Sequence, residues 1–361
     1  MPAIPANAAG ARIVGWGVGL PDKVLTNDDL RAGGLDTTDE WIRERTGIAE
    51  RRIGGSTASL SIEAGRQAIA KAGLQPSDID VLVLATTTPD QAVPASSASV
   101  QDGLGLRCGA FDVNAACSGF VYALVTAHGL VGIGARRALV IGTDTLSRIT
   151  DWDDRNTAVL FADGSGAVVL EATDGAGQLL GWDLDSDGSA RPLLYADIGG
   201  YLRMDGKEVF RRAVRIMVES ATKSMHHAGV TADQLKLVVP HQANARIIKA
   251  ACDRLGVGLE RAQSNRNVLV GLRPERVQED GIPLDVVPHL VRAQAMPTAV
   301  VGRGEQEVDG AQGVPLARRL ESGHPAGRVE DVGMVAALRN ERAESERPDQ
   351  GQGTRVHESR F

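Results

Sequence analysis

Phe111-Asp112-Val113-Asn114-Ala115-Ala116-Cys117-Ser118-Gly119-Phe120 is the stretch that decides the fold. A short apolar strand runs through small residues into one cysteine, and a helix opens behind it. From Gly119 to Leu130 that helix is apolar almost all round, through Phe120, Val121, Tyr122, Ala123, Leu124, Val125 and Ala127, so it reads as a buried helix of a layered α/β protein. Only its entrance is polar. A thiol there faces unpaired N–H groups and the positive end of the helix dipole, which favour thiolate and predict a lowered pKa. Two readings stand at this point. Cys117 is a small core cysteine, the usual place of a lone Cys, or it is a nucleophile to which Ala115, Ala116, Ser118 and Gly119 leave room for a substrate.

Composition narrows the class. The chain has 361 residues, enough for two domains or one large double one, and 43% of them are hydrophobic. A net charge of -7 argues against a nucleic-acid binder, and 3% aromatic residues removes the stacking platform of a single-strand binder. Neither a signal peptide nor an apolar run of membrane-spanning length is apparent. Cys108, Cys117 and Cys252 have no disulfide or zinc-site spacing, which fits a reducing cytoplasm and predicts no bound metal.

Working outward, residues 1–10 are Pro/Ala-rich and expected to be disordered, and Ala11–Gly19 reads as a strand. Asn27–Gly47 reads as a charged helical region with Asn27 as its cap. Ser56–Ala72 carries Leu60, Ala64, Ala68 and Ala72 at one-turn spacing, with Gly73 behind them. Val81–Thr86 reads as a strand buried on both faces of a parallel sheet, followed by strands at Ala138–Thr143 and Ala158–Phe161. Asp163-Gly164-Ser165-Gly166 reads as a hairpin turn into Ala167–Leu170. The second half restarts the programme. A helix over Gly206–Ala228 ends in Gly229 and leads to a strand at Leu235–Val239. Ala72-Gly73-Leu74 with Asp78 thus matches Ala228-Gly229-Val230 with Asp233, which predicts a duplicated half. Two such halves put their strand ends at one crevice, Cys117 on one side and Pro240-His241-Gln242-Ala243-Asn244 on the other.

Several ordered motifs together carry a resemblance: Thr38-Asp39-Glu40-Trp41-Ile42, Arg45-Thr46-Gly47-Ile48, Asn114–Phe120, Asp154-Arg155, Phe161-Ala162-Asp163-Gly164-Ser165-Gly166-Ala167 and Pro240–Arg246. Over about residues 11–265 the chain resembles β-ketoacyl-acyl-carrier-protein synthase III, the thiolase-like condensing enzymes that start fatty-acid synthesis from an acyl-CoA. The resemblance implies a thiolase-like fold of two βα halves in five layers, α-β-α-β-α, the first over 11–174 and the second, incomplete, over 175–265. It implies that Cys117 takes the acyl group and that His241 helps decarboxylate malonyl-acyl carrier protein. Trp41, Arg45, Arg155 and Asn244 would contact CoA, which is a substrate rather than a permanent cofactor. Val93, Leu160 and Phe210 would line the acyl pocket, and Arg211, Arg246, Lys249 and Arg254 would dock the acidic carrier protein. A homodimer is implied as well. Asn156 stands where the family usually has Gly, which alters the phosphate side.

The likeness stops near residue 266. The family's Gly-Asn-Thr-Ser segment, roughly thirty residues past the histidine, and its later glycine-rich turn are both missing. From Arg266 on, Arg is abundant, Lys is absent and Phe361 is the only aromatic residue. Residues 266–361 are therefore expected to be an atypical tail, frameshifted or disordered, with a divergent C-terminal domain as the rival; Val286–Val291 and Thr298–Gly302 are its candidate strands. Impaired condensation follows from the missing Asn. Two other functions remain open: an acyltransferase of specialised metabolism that uses Cys117 and His241 without decarboxylation, and an inactive CoA-binding dimer.

Overall fold

Gly15, Gly17 and Gly19 recur at the strand period of two, so one face of their strand is bare at three successive positions. The computed structural model describes residues 10–175 and 177–262, with the backbone of Ala299–Val301. In chain order its elements are β1 (Gly10–Gly19), β2 (Val24–Thr26), α1 (Asn27–Ala32), α2 (Asp39–Thr46), β3 (Glu50–Arg52), α3 (Thr57–Lys71), β4 (Val81–Ala85), α4 (Ser96–Gly103), β5 (Gly109–Val113), α5 (Gly119–Gly132), β6 (Arg137–Thr145), α6 (Arg155–Ala158), β7 (Asp163–Thr173), β8 (Leu179–Trp182), β9 (Leu194–Tyr195), β10 (Arg203–Met204), α7 (Gly206–Ala228), α8 (Ala245–Leu255) and β11 (Ala299–Val301). Contacts divide the chain into Met1–Glu307 and Val308–Phe361; every described residue lies in the first unit.

The bare face of β1 receives α3. A Cβ on Gly19, Gly17 or Gly15 would stand 2.2, 2.0 or 2.2 Å from the carbonyl oxygens of Leu60, Ala64 and Ala68. Two strand residues rise about 6.7 Å and four helix residues about 6 Å, so the two repeats stay in step for three contacts. Ser56 starts α3 with a reciprocal capping box to Ser59.

The main sheet runs β1-β7-β6-β4-β5. Strand β4 is parallel to β5 and β6, while β7 is antiparallel to β6 and β1. Its faces alternate as period two demands. Leu82, Leu84, Leu139, Ile141, Ala167 and Val169 pack with α3 and α4, whereas Val83, Ala85, Val140, Val168 and Leu170 pack with α5. Burial on both faces is what the continuous apolar run at Val81–Thr86 requires.

Four local expectations are corrected. Asn27 is not a cap: Thr26 caps α1, and Asn27 is buried, donating to Asp39 Oδ1 and the Ile48 carbonyl. The Asp163–Gly166 hairpin does not form. All four residues lie inside β7, where Ser165 bonds the Thr143 hydroxyl at 2.6 Å, so the glycines are strand residues and not a turn. Ala158–Phe161 is no strand, since Arg155–Ala158 is helical behind an Asp154 cap. Among the described residues, Leu235–Val239 contributes an isolated parallel bridge, Val238 to Ala262, and no strand.

In the second half α7 packs on β8 and α8 on α7. A Cβ on Gly181 would stand 2.3 Å from the Ser224 carbonyl oxygen and 2.7 Å from the Ala228 nitrogen. Strand β11 pairs antiparallel with β8, its register shifting between Val300 and Val301. Residues 1–9 and the Val286–Val291 candidate lie outside the described residues, as does the rest of the atypical tail; of Thr298–Gly302, the backbone of Ala299–Val301 is strand.

Candidate active site

Strand β5 ends at Val113, and the chain turns through a short 3-10 segment, Ala116–Ser118, straight into α5. The turn is tight enough to hold Ala116 at φ 45°, the only non-glycine with positive φ among the described residues. Asn114 Oδ1 accepts the Ala116 N–H at 3.3 Å and the Ala115 carbonyl accepts that of Ser118 at 3.0 Å. Behind the turn, the Phe120 ring lies against Gly142 of β6, where a Cβ would come within 3.1 Å of it. Cys117 is thus fixed, half-buried, at the carboxyl end of the parallel strands.

The thiol is not poised as the helix start suggested. Burial and then the nearby Asp144 carboxylate push its pKa up to about 11, against the lowering effect of its own backbone N–H. Cys117 is therefore a thiol in the resting protein. Asp144 is the residue that motif reading missed. It sits buried at the end of β6, accepting from Thr87 N at 2.8 Å and from the Thr88 hydroxyl at 3.2 Å. Its signal in the sequence is a lone carboxylate closing the apolar run Leu139–Gly142, at the end of a strand parallel to its neighbour.

His241 lies in the loop ahead of α8. Its Nδ1 is buried and has no hydrogen-bond partner among the described residues, and burial pushes its pKa down to about 4. At neutral pH it is an uncharged imidazole, one nitrogen a donor and the other an acceptor. Asn244 caps α8, its Oδ1 accepting from Arg246 N at 2.9 Å, so only its amide N–H groups are left to face a ligand.

Trp41, Arg45 and Arg155 come together although α2 and α6 lie far apart in sequence. The guanidinium carbons of Arg45 and Arg155 stand 4.4 and 4.9 Å from the Trp41 ring centroid. Arg155 also donates to the Asp36 carbonyl at 2.9 Å, and Asn156 turns back to its neighbour Asp154 at 3.0 Å. The expected acyl-pocket residues are not brought together in this way. Leu160 packs with Ile42 and Trp41, Phe210 packs with Ala213 and Ile247, and Val93 is 86% exposed.

Of the docking candidates, Arg211 pairs with Glu208 at 2.6 Å and Lys249 with Asp253 at 2.6 Å, which offsets part of the positive patch. Arg246 lies 5.6 Å from the Phe210 ring centroid, and Arg254 is exposed. Among the described residues no cluster of His, Cys, Asp and Glu has metal-holding geometry, and no helix is long and apolar enough to cross a membrane. A surface cleft beside Leu74 and Leu104 contains none of these site residues.

Comparison with known proteins supplies an independent line. Residues 111–188 match the 3-oxoacyl-[acyl-carrier-protein] synthase III family, and residues 225–268 match the family's C-terminal part. A β-ketoacyl-[acyl-carrier-protein] synthase III of Erythrobacter litoralis is 51% identical over 266 residues, 70% of this chain and 83% of the relative. One from Rhodobacter capsulatus is 49% identical over 269 residues, 69% of this chain and 83% of the relative. The crystal structure of the Aquifex aeolicus 3-oxoacyl-[acyl-carrier-protein] synthase III superposes with a TM-score of 0.69 at 43% identity, covering 71% of this chain and 84% of that one.

Proposed function

Since this chain belongs to the β-ketoacyl-acyl-carrier-protein synthase III family of thiolase-like acyltransferases, we propose that Cys117 is the residue acylated by acyl-CoA and that malonyl-acyl carrier protein is the second substrate. The observation that carries this reading is the strained turn at Ala116, which presents one thiol at the start of a buried helix. The Cys117 sulfur attacks the thioester carbonyl, its proton leaves, and CoA departs as its thiol. With the thiol pKa near 11, proton loss accompanies attack rather than preceding it. Backbone N–H groups, that of Cys117 among them, receive the oxyanion.

In the second half-reaction neutral His241 donates to the malonyl thioester carbonyl as carbon dioxide leaves. The carbanion then attacks the acyl-cysteine and frees the cysteine sulfur, giving the β-ketoacyl product. A histidine held below its ordinary pKa keeps a single N–H for this task without carrying a charge. The missing Gly-Asn-Thr-Ser segment removes the family's second donor, and loss of one such donor costs roughly 10²–10³ in rate. Acyl transfer is thus expected to outlast condensation, which favours as second reading an acyltransferase that does not decarboxylate.

At the CoA end, adenine stacks on Trp41 while Arg45 and Arg155 meet phosphates, and Asn244 lines the pantetheine path. On the family resemblance alone, Phe210, Leu160 and Val93 are kept as acyl-chain contacts although they are not brought together within one chain, and Arg211, Arg246, Lys249 and Arg254 as carrier-protein contacts. The edge strand β5, with Phe111 at 36% exposure, and the exposed Val93 ahead of α4 support a homodimer paired along that edge. We assign 11–174 and 175–265 to two halves, the second drawing in Ala299–Val301, and the protein to the cytoplasm. Incubation with radiolabelled acyl-CoA tests the reading. Label retained on the protein and lost in Cys117→Ser is expected; label retained equally by that variant would overturn it. Carbon dioxide released from malonyl-acyl carrier protein separates condensation from plain acyl transfer.

A further inference from the structure

Arg51 of β3 is a buried charge that the chemistry above does not use. It is 2% exposed, and among the described residues its Nε has no hydrogen-bond partner. Its two bonds end on neutral oxygens: Nη1 donates to Asn27 Oδ1 at 2.9 Å and Nη2 to the Val159 carbonyl at 2.6 Å. Burial pushes its pKa down to about 10, which leaves it charged at neutral pH. A desolvated cation with no carboxylate partner among the described residues costs the fold stability, and an apolar side chain of similar length would avoid that cost.

The two bonds lead to the two elements that carry the tryptophan–arginine stack. Val159 caps the carboxyl end of α6, which begins with Arg155. Asn27, the other acceptor, donates to Asp39 Oδ1 at 2.7 Å and to the Ile48 carbonyl at 2.9 Å, gripping α2 at its first residue and just beyond its last. Trp41 and Arg45 lie between those grips. The path Asp39–Asn27–Arg51–Val159 therefore links α2 to the end of α6, the two elements that carry the stack, with Leu30, Ile42 and Ala158 clustered around Val159. The planar fork meets the two acceptors from two separate nitrogens, a geometry that the single nitrogen of an ammonium does not reproduce.

We infer that Arg51 is a positioning residue for coenzyme binding: it fixes the separation of α2 and α6, so that Trp41 and Arg155 stand ready on either side of the nucleotide. This rests on the reading of Trp41, Arg45 and Arg155 as CoA contacts. A flat ring entering between Trp41 and Arg155 needs about 7 Å, two ordinary contact distances, against the 4.9 Å seen. Arg155 must swing while its helix stays, and the tether keeps the helix in place.

Calorimetric titration with CoA and with pantetheine, which lacks the nucleotide, tests the inference on the full chain. Arg51→Lys is expected to weaken CoA binding about tenfold through lost preorganisation, and pantetheine binding less than about twofold. A folded Arg51→Lys protein that binds CoA like the wild type, or loses CoA and pantetheine equally, overturns it. Should Arg51→Lys fail to fold, Asp39→Ala, on the half-exposed end of the path, decides: CoA-selective weakening supports the tether, and unchanged binding refutes it. Trp41→Ala separates the premise, because a Trp41→Ala protein with wild-type CoA affinity removes the coenzyme reading itself and the inference with it.

Discussion

Strands β1 and β8 solve the same packing problem and then part company. Gly15 of β1 sits against the Ala68 carbonyl and the Ala72 nitrogen; Gly181 of β8 sits against the Ser224 carbonyl and the Ala228 nitrogen. Each glycine is followed by a tryptophan, and each helix ends within a residue of its alanine, ahead of a glycine in the left-handed region, Gly73 and Gly229. The likeness extends to the neighbouring strands. The register of β1 on β7 shifts between Ile13 and Gly15, and that of β8 on β11 between Leu179 and Gly181. Two residues further on the halves differ. Gly17 touches the backbone of α3, but Asp183 stands in its place, 1% exposed, with Lys223 Nζ at 3.6 Å. A side chain fits there only if α7 has begun to diverge from β8. The first half thus keeps a bare backbone contact where the second, just past the end of β8, buries a carboxylate.

Substituting the glycines tests that difference most severely. Gly17→Val forces a side chain into the Ala64 carbonyl and is expected to abolish folding or to cost at least about 3 kcal/mol, the upper end for overpacking. The matched pair Gly15→Ala and Gly181→Ala should lose similar amounts in denaturant titrations. A harmless Gly181→Ala would break the equivalence of the two halves.

Next in size is the reactivity of the two chemical groups that the halves contribute. With its pKa near 11, Cys117 should be alkylated slowly at pH 7 and about tenfold faster for each pH unit up to 10, because only the thiolate reacts. A rate that levels off near pH 8 would show that the helix start outweighs burial. On the other half, His241 is buried neutral with a folded pKa near 4. Its folded value lies below the ordinary one, so stability is full above about pH 6.5 and falls as the pH drops towards 4, when the unfolded chain takes up the proton first. Urea midpoints for His241→Asn should lose part of the wild type's decline across that window; identical declines would refute the assignment.

The smallest expected effect concerns helix starts. Ser56 caps α3 and Asp205 caps α7, accepting from Ser59 N and Glu208 N. Ser56→Ala and Asp205→Ala should each cost about 1 kcal/mol by thermal unfolding. A cost near zero at Asp205 alone would mark the second half as held by packing rather than by its cap.

These contrasts also explain what could be read from the residues alone. Apolar runs such as Val81–Ala85 and the periodic helices α3 and α7 were legible because burial on a fixed period leaves a pattern. Gly164 and Gly166 misled because glycine commonly signals a turn, whereas here the pairing of β7 with β6, distant in the chain, keeps both extended. Asn27 misled for a similar reason: its partners Asp39 and Arg51 are distant, while the cap next to it, Thr26, is equally polar. At the site, motifs pointed to Cys117, His241 and the Trp41 stack. The sign of the thiol shift was not readable, since it comes from burial and from Asp144, which the fold alone brings near.

The three bare glycines of β1 also bear on when the molecule can be assembled. Arg12 of β1 meets Glu171 of β7 across 159 residues of chain. At a synthesis rate of about 5–20 residues per second, the edge of β1 waits roughly 8–30 s for its partner strand. Helix α3 emerges in the first part of that interval, but β6 and β7, which its apolar face also packs against, come later. Until β7 arrives, the apolar face of α3 and the edge of β1 both lack partners, so a chaperone that recognises open strand edges or bare apolar faces has its main opportunity between the release of α3 and that point.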